Sequence, residues 1–123
     1  MNEHLPVDKT FKLFIGGAFP RSESGRTFAV RDAKGALLAN ASQASRKDLR
    51  EAVRAARGAQ ESWAGRTAYN RGQILYRAAE MMEARRPEFV SVLRQIGVTP
   101  KAASKQVDQA IDRWVWYAGW ADK

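Results

Sequence analysis

The spacing of hydrophobic residues divides the chain into a strand-like first third and a helical remainder. A mainly apolar run at 11–15 and apolar residues at 18–19 flank Gly16-Gly17, a pair that is free to adopt positive φ. This arrangement is typical of a tight β-hairpin. A polar loop at 20–25 follows the predicted hairpin.

Two further strands are predicted at residues 27–30 and 36–39, joined by a turn at 32–35 that ends in glycine. Taken together, the strands within about residues 11–40 predict a small antiparallel meander. A sheet of this size is too thin to be stable alone.

Apolar positions with a 3.6-residue period indicate about four helices over about residues 46–123. Ser45 can cap the first helix, and Asp48 lies at its third position, where the helix dipole favours an acid. Thr67 is predicted to open the second helix. Pro87 breaks that helix or begins the third, because proline fits only the first turn.

The last helix is predicted to follow Ser104, because Gly97 and Pro100 interrupt the pattern before it. Its inner face is predicted to carry Val107, Ala110, Ile111, Trp114, Val115 and Ala118. Its other side carries Trp116, Tyr117 and Trp120. A helix that is apolar on two sides is expected to have two neighbours.

The predicted fold class is therefore α+β, with residues 1–10 as a flexible leader and residues 11–123 as one segment of a domain. A hydrophobic content of 45% and a charged content of 28% are those of a globular protein. No apolar run approaches ~18 residues, so we expect no membrane span. The N-terminus lacks the basic start and apolar stretch of a secretory signal, which favours the cytoplasm.

The formal net charge of +8 raises the question of nucleic-acid binding. Four arginines lie along one side of the first predicted helix, at positions 46, 50, 54 and 57. They form either a phosphate-binding stripe or the solvated face of an amphipathic helix. The second interpretation is favoured, because no helix-turn-helix, aromatic RNA-binding strand or zinc spacing accompanies the stripe.

Catalytic patterns are scarce. The chain has no cysteine and one histidine, His4 in the leader, which we interpret as a solvated residue. Carboxylates at 80 and 83, and at 108 and 112, share helix faces as acid–base pairs would. Arginine and lysine neighbours favour ordinary ion pairs instead: Arg77, Arg85 or Arg86 for the first pair and Lys105 or Arg113 for the second.

The order of these segments resembles the N-terminal portion of the aldehyde dehydrogenase superfamily. The family's opening hairpin, "FI-N/G-G-x-W/F", is matched by Phe14-Ile15-Gly16-Gly17-Ala18-Phe19, and its "SG-K/R-TF" by Ser24-Gly25-Arg26-Thr27-Phe28. Leu49 to Trp63 resembles the family's next helix, and Tyr117 to Lys123 is close to its "YAGWADK" segment. Two segments of this chain, residues 46–50 and residues 69–76, most resemble the type-16 branch of the family.

The resemblance implies an incomplete part of a larger enzyme. In the family a cysteine thiolate attacks the aldehyde, a glutamate activates water, an asparagine stabilises the oxyanion, and hydride passes to NAD or NADP. All of these groups lie downstream of the segment matched here. We therefore expect NAD or NADP in the full-length enzyme, no cofactor for this chain alone, and no catalysis by it.

The resemblance also implies a role for the last helix, which can line the substrate entrance in the family. Alignment through the terminal heptapeptide puts Lys105, Gln109 and Arg113 on that helix face, so the entrance wall would be polar and basic. Gln95 replaces an acidic residue that contributes to a monovalent-cation site in some relatives, which puts that site in doubt here.

Three functions stay open at this point. The chain is the N-terminal part of an NAD(P)-dependent aldehyde dehydrogenase, or a degenerate module that binds a partner subunit through an exposed apolar face, or, as a distant third, a basic nucleic-acid binder. The expected partner is the remainder of the aldehyde dehydrogenase chain or a homologous subunit, within an oligomer. Because its aromatic C-terminal helix lacks a covering layer, we expect the isolated chain to be marginally stable or to self-associate.

Overall fold

The computed structural model describes residues 8–123, which divide into two compact units. The first unit, up to Gln60, contains the strands, and we call it the sheet unit. The second, Glu61–Lys123, is helical, and we call it the helical unit. Residues 1–7 of the predicted leader, including His4, lie outside the described residues, and Thr10, the last residue of that leader, begins the first strand.

The sheet unit contains a three-stranded sheet in the order β1-β3-β2. β1 is Thr10–Phe11, β2 is Thr27–Arg31 and β3 is Leu37–Ser42. β2 and β3 pair antiparallel, as predicted, whereas β1 pairs in parallel with β3. The meander prediction was wrong in this detail: β2 occupies one edge of β3, and the long connection before β2 lets β1 reach the other edge.

Both predicted turns of the sheet unit are confirmed. The backbone amides of Ile15 and Ala18 donate to each other's carbonyls at 3.0 and 3.1 Å, across Gly16 and Gly17, whose φ values are 61° and 78°. Positive φ at both central residues defines a type I′ turn. In the second turn the Asp32 carboxylate accepts the amides of Lys34 and Ala36, both at 2.8 Å.

Four helices follow, which confirms the α+β class. They are α1 (Arg46–Ala64), α2 (Ala68–Ala84), α3 (Arg86–Gln95) and α4 (Pro100–Ala118). Thr67 caps α2, its hydroxyl accepting the Asn70 amide at 3.1 Å, and Pro87 lies in the first turn of α3, as predicted. Gly97 follows α3 with a φ of 97°.

The predicted start of α4 was wrong. The helix begins at Pro100, four residues before Ser104, and Thr99 is its cap, accepting the Ala102 amide at 3.3 Å. Proline at the first helical position lacks only an amide that would have no partner there. Pro100 therefore starts this helix instead of separating it from α3.

The helical unit has a small apolar core. Ala79 of α2 and Val107 and Ile111 of α4 are buried, and they are packed against Met82, Val90 and Leu93. Two residues of the predicted inner face, Trp114 and Val115, are 40% and 42% exposed. The predicted face is therefore buried at Val107 and Ile111 and only partly covered at Trp114 and Val115, where α2 and α4 leave a groove open to solvent.

Candidate functional site

The C-terminal half of α4 and the turn after it form a groove with α2. The groove has a volume of about 610 Å³ and opens to solvent. Tyr69, Gly72, Gln73 and Tyr76 line it from α2. The residues that line it from the other side are Val115, Ala118, Gly119, Ala121, Asp122 and Lys123. Two segments that carry the family resemblance, 69–76 and 117–123, thus meet in one place.

Gly72 permits the close approach of α2 to the end of α4. A Cβ atom at this position would lie 3.0 Å from the Ala118 carbonyl oxygen and 3.6 Å from the Ala121 Cβ. A backbone oxygen at that distance cannot move aside as a flexible side chain does. The glycine is therefore required by packing, which its place in a helical pattern does not indicate.

Arg71 ties the segment after α4 to the start of α2. One Nη atom donates to the Ala64 carbonyl at 3.2 Å, and the other donates to the Ala121 carbonyl at 3.3 Å. Helix C-termini carry unpaired carbonyls, and a guanidinium can satisfy several of them at once. Sequence reasoning missed Arg71 because its partner Ala121 lies 50 residues away.

The three residues predicted to form an entrance wall lie on one side of α4. Lys105, Gln109 and Arg113 follow each other at intervals of four residues, and all three are exposed. The α2–α4 groove is lined by other residues of α4. The described residues contain no facing wall that would show what these side chains border.

Three of the four carboxylates in the predicted pairs, Glu80, Glu83 and Asp108, form ion pairs. Glu80 binds Arg77 at 2.8 Å and Glu83 binds Arg86 at 2.7 Å, as expected. Asp108 binds Arg86 of α3, and the prediction of Lys105 or Arg113 as its partner was wrong, because the tertiary contact of α3 with α4 supplies a closer cation.

The contacts of Arg86 shift the pKa values of Glu83 and of Arg86 itself. The hydrogen bond that Arg86 donates lowers the pKa of Glu83, and the hydrogen bonds that Arg86 donates to Glu83 and Asp108 raise its own pKa. A general acid or base needs a pKa near the working pH. Glu83 stays ionised at neutral pH, so this cluster is suited to joining helices and not to proton transfer.

In the sheet unit, Asp48 is the centre of a polar network. Its carboxylate accepts the Ser22 hydroxyl at 2.5 Å and the Ser45 amide at 2.8 Å, while the Ser45 hydroxyl accepts the Asp48 amide at 3.2 Å. The Ser22 bond first, and the Ser45 bond second, lower the pKa of Asp48 from 3.8 to about 2. The Ser45–Asp48 cap was readable from the sequence; Ser22, 26 residues away, was not.

The four arginines of the predicted stripe on α1 are all exposed. Arg54 pairs with Glu51 at 3.0 Å and Arg57 donates to Gln60 at 3.3 Å, both within α1. These contacts hold both guanidinium groups along their own helix. Within residues 8–123, no group of three His, Asp or Glu side chains is placed to hold a metal ion, and no helix there is long and apolar enough to cross a membrane.

Comparison with known proteins identifies similar chains. The profile of the aldehyde dehydrogenase family matches residues 19–123. The cytosolic 10-formyltetrahydrofolate dehydrogenase of Mus musculus is 32% identical over 124 residues, covering 97% of this chain and 14% of that protein. The mitochondrial 10-formyltetrahydrofolate dehydrogenase of the same organism is also 32% identical, and 13% of it is covered.

Solved structures show the same arrangement of elements. An NAD-dependent benzaldehyde dehydrogenase from Corynebacterium glutamicum superposes with a TM-score of 0.87 and 31% identity, over 92% of this chain and 25% of that one. HpcC from Thermus thermophilus gives a TM-score of 0.87 and 28% identity, over 93% and 22%. The chain thus spans about a quarter or less of each of these relatives.

Proposed function

The chain belongs to the aldehyde dehydrogenase family, and we propose that it forms the N-terminal part of an NAD(P)-dependent enzyme that oxidises an aldehyde to a carboxylic acid. The observation that carries the proposal is the superposition of 92% of the chain on a quarter of an NAD-dependent benzaldehyde dehydrogenase. In the proposed enzyme this chain supplies structure, and other parts supply the chemistry.

The exposed aromatic residues at the end of α4 support this assignment. Trp116, Tyr117 and Trp120 are 61%, 63% and 52% exposed, next to the groove that α4 forms with α2. Large contiguous apolar surfaces on a protein mark places where another element packs. We infer that the remainder of the enzyme, or a homologous subunit, covers this surface in an oligomer.

The residues of this chain do not fit the proposed cofactor. A dinucleotide pyrophosphate is held by a glycine-rich turn between a strand and a helix. The strand-to-helix junction of the described residues, Gln43-Ala44-Ser45 between β3 and α1, contains no glycine. NAD or NADP would therefore be held elsewhere in the enzyme, and this chain alone is proposed to bind none.

The direct test of the proposal is aldehyde oxidation by the 123-residue chain and by the enzyme that contains it. The chain alone is expected to give no NADH or NADPH formation above the blank, because its sequence has no cysteine to attack the aldehyde. The enzyme containing it should oxidise aldehydes. Aldehyde oxidation by the isolated chain would contradict the proposal that the catalytic groups lie in other parts of the enzyme.

The entrance wall is a further part of the proposal. Lys105, Gln109 and Arg113 would face the substrate path and favour anionic aldehydes, because two of the three carry positive charge at neutral pH. In the enzyme that contains this chain, KM should be lower for 4-carboxybenzaldehyde than for benzaldehyde. Arg113→Leu should bring the ratio of these two KM values closer to one. An unchanged ratio would place these residues away from the entrance.

Within the family we propose that the chain is nearest to the type-16 branch, because segments 46–50 and 69–76 resemble that branch. We also propose that the protein is located in the cytoplasm. A phylogeny built on the complete gene product tests the first point. Fractionation of cells that express the tagged protein tests the second.

The second candidate is a degenerate module that binds a partner subunit, and the same exposed aromatic surface favours it. Reading the gene beyond the Lys123 codon separates the two. Continuation into a glycine-rich strand–helix unit and a catalytic cysteine supports the enzyme, whereas a stop codon in several strains supports the module.

A further inference from the structure

A basic groove in the sheet unit has no part in the proposed function. Its volume is about 270 Å³. Three cations line it, Lys12, Arg21 and Arg26, together with the hydroxyl residues Thr10, Thr27 and Ser42. No acidic residue is among those that line it.

The fold brings two of these cations together without a carboxylate to balance them. Leu13 donates to the Pro20 carbonyl at 3.0 Å across the hairpin, and the adjoining residues Lys12 and Arg21 both line the groove. Like charges that line one small groove repel each other. Within residues 8–123, neither Lys12, Arg21 nor Arg26 forms a salt bridge, so an anion in the groove would relieve this repulsion.

The loop that carries the two arginines is held in place by hydrogen bonds. Ser22, which is 7% exposed, donates its hydroxyl to Asp48 at 2.5 Å. The Gly25 amide donates to the Ser22 carbonyl at 3.1 Å, and the Arg26 amide donates to the Ser24 hydroxyl at 3.1 Å. A loop fixed in this way loses little conformational entropy when a ligand binds.

We propose that this groove binds a small anion that bears a phosphate group. Arginine forms paired hydrogen bonds with phosphate oxygens, lysine adds charge, and hydroxyls add donors. The groove is slightly smaller than the ~300–1,000 Å³ of pockets for drug-sized ligands, so its occupant is inorganic phosphate or a small phosphate monoester. The proposal depends on the sheet unit alone and does not rest on the proposed function.

Equilibrium dialysis of the 123-residue chain against radiolabelled inorganic phosphate, at constant ionic strength, tests the proposal. Competition with unlabelled glycerol 3-phosphate distinguishes a free phosphate from a monoester. We expect one saturable site. Arg26→Gln and, separately, Arg21→Gln should each weaken binding about tenfold, since a hydrogen bond to a charged group contributes at least that much.

The matched control is Arg57→Gln, which removes the same charge from α1, outside the groove, and should change the dissociation constant less than twofold. Far-UV circular dichroism shows that each variant is folded. Two results would overturn the proposal: no saturable binding of either anion, or equal weakening by Arg57→Gln and Arg26→Gln, which would mean a general charge effect.

Discussion

The sheet unit and the helical unit are stabilised by different interactions. In the sheet unit Ala39 is the buried apolar residue of the strands, and a buried carboxylate, Asp48, joins a loop to a helix. In the helical unit Ala79, Val107 and Ile111 form an apolar core, and the ion pairs lie at its surface. The first unit depends on hydrogen-bond geometry and the second on buried area.

This difference follows from the shapes of the two units. A three-stranded sheet with short strands has few positions that neighbours can cover, so polar groups with fixed partners must order its loops. Two long helices that cross at a glycine bring many side chains into contact and can exclude water. The two units should therefore respond differently to the same kinds of substitution.

The largest expected effect comes from truncating the apolar core. Ile111→Ala should lower the free energy of unfolding by about 2–4 kcal/mol, through lost burial and a new cavity. Leu49→Ala in the sheet unit removes a side chain that is 64% exposed. This substitution should change the free energy of unfolding by less than about 0.5 kcal/mol. Urea unfolding followed by circular dichroism measures the free energy of unfolding of both variants. Equal losses would contradict the proposed difference between the helical unit and the sheet unit.

A smaller effect is expected from the carboxylate network, and it depends on pH. The pKa of Asp48 is lowered from 3.8 to about 2 in the folded chain, so its contribution to stability is complete above about pH 4 and is lost as the pH falls to about 2. Asp48→Asn should reduce stability at neutral pH and flatten this acid dependence.

Asp32→Asn is the matched control for Asp48→Asn. Asp32 accepts two amides in an exposed turn, a role in which asparagine serves as well. Melting temperatures of Asp32→Asn, measured between pH 2 and pH 7, should therefore differ little from those of the unsubstituted chain at the same pH. If both variants lose the same stability, the Ser22–Asp48 contact has no special importance.

The smallest expected effect comes from replacing two helical glycines, Gly72 and Gly58, by alanine. The two substitutions should change the free energy of unfolding in opposite directions. A Cβ at Gly72 would meet the Ala118 carbonyl at 3.0 Å, whereas a Cβ at Gly58 would meet nothing within 4 Å. Gly72→Ala should destabilise the chain by about 1 kcal/mol through overpacking. Gly58→Ala should stabilise it by up to about 1 kcal/mol through helix propensity. Thermal melts of the two variants give the comparison, and stabilisation by Gly72→Ala would show that α4 moves aside.

The sequence predicted the α+β class, the two turns and most helix boundaries because these depend on local signals. Gly16-Gly17, Thr67 and Pro87 each act within a few residues of their own position. The start of α4 was predicted five residues too late because Pro100 can either end a pattern or begin a helix. That choice depends on Thr99, whose capping role is visible once the backbone is known.

The groove between α2 and α4 was not predicted from the sequence as a site. The segments 69–76 and 117–123 were recognised as family-like, but their meeting through Arg71 and Gly72 was not foreseen. The place of Lys105, Gln109 and Arg113 on one side of α4 follows from helix geometry.

The sequence by itself determined much of the local structure of this protein: its two turns, the caps of α1 and α2, the apolar period of its helices and its resemblance to aldehyde dehydrogenases. The tertiary structure decided the pairing of β1 with β3, the Ser22–Asp48 bond, the Arg86–Asp108 pair and the close contact at Gly72. The physical reason is distance along the chain. Local patterns report interactions between residues a few positions apart, whereas these contacts join residues 22 to 46 positions apart that only folding brings together.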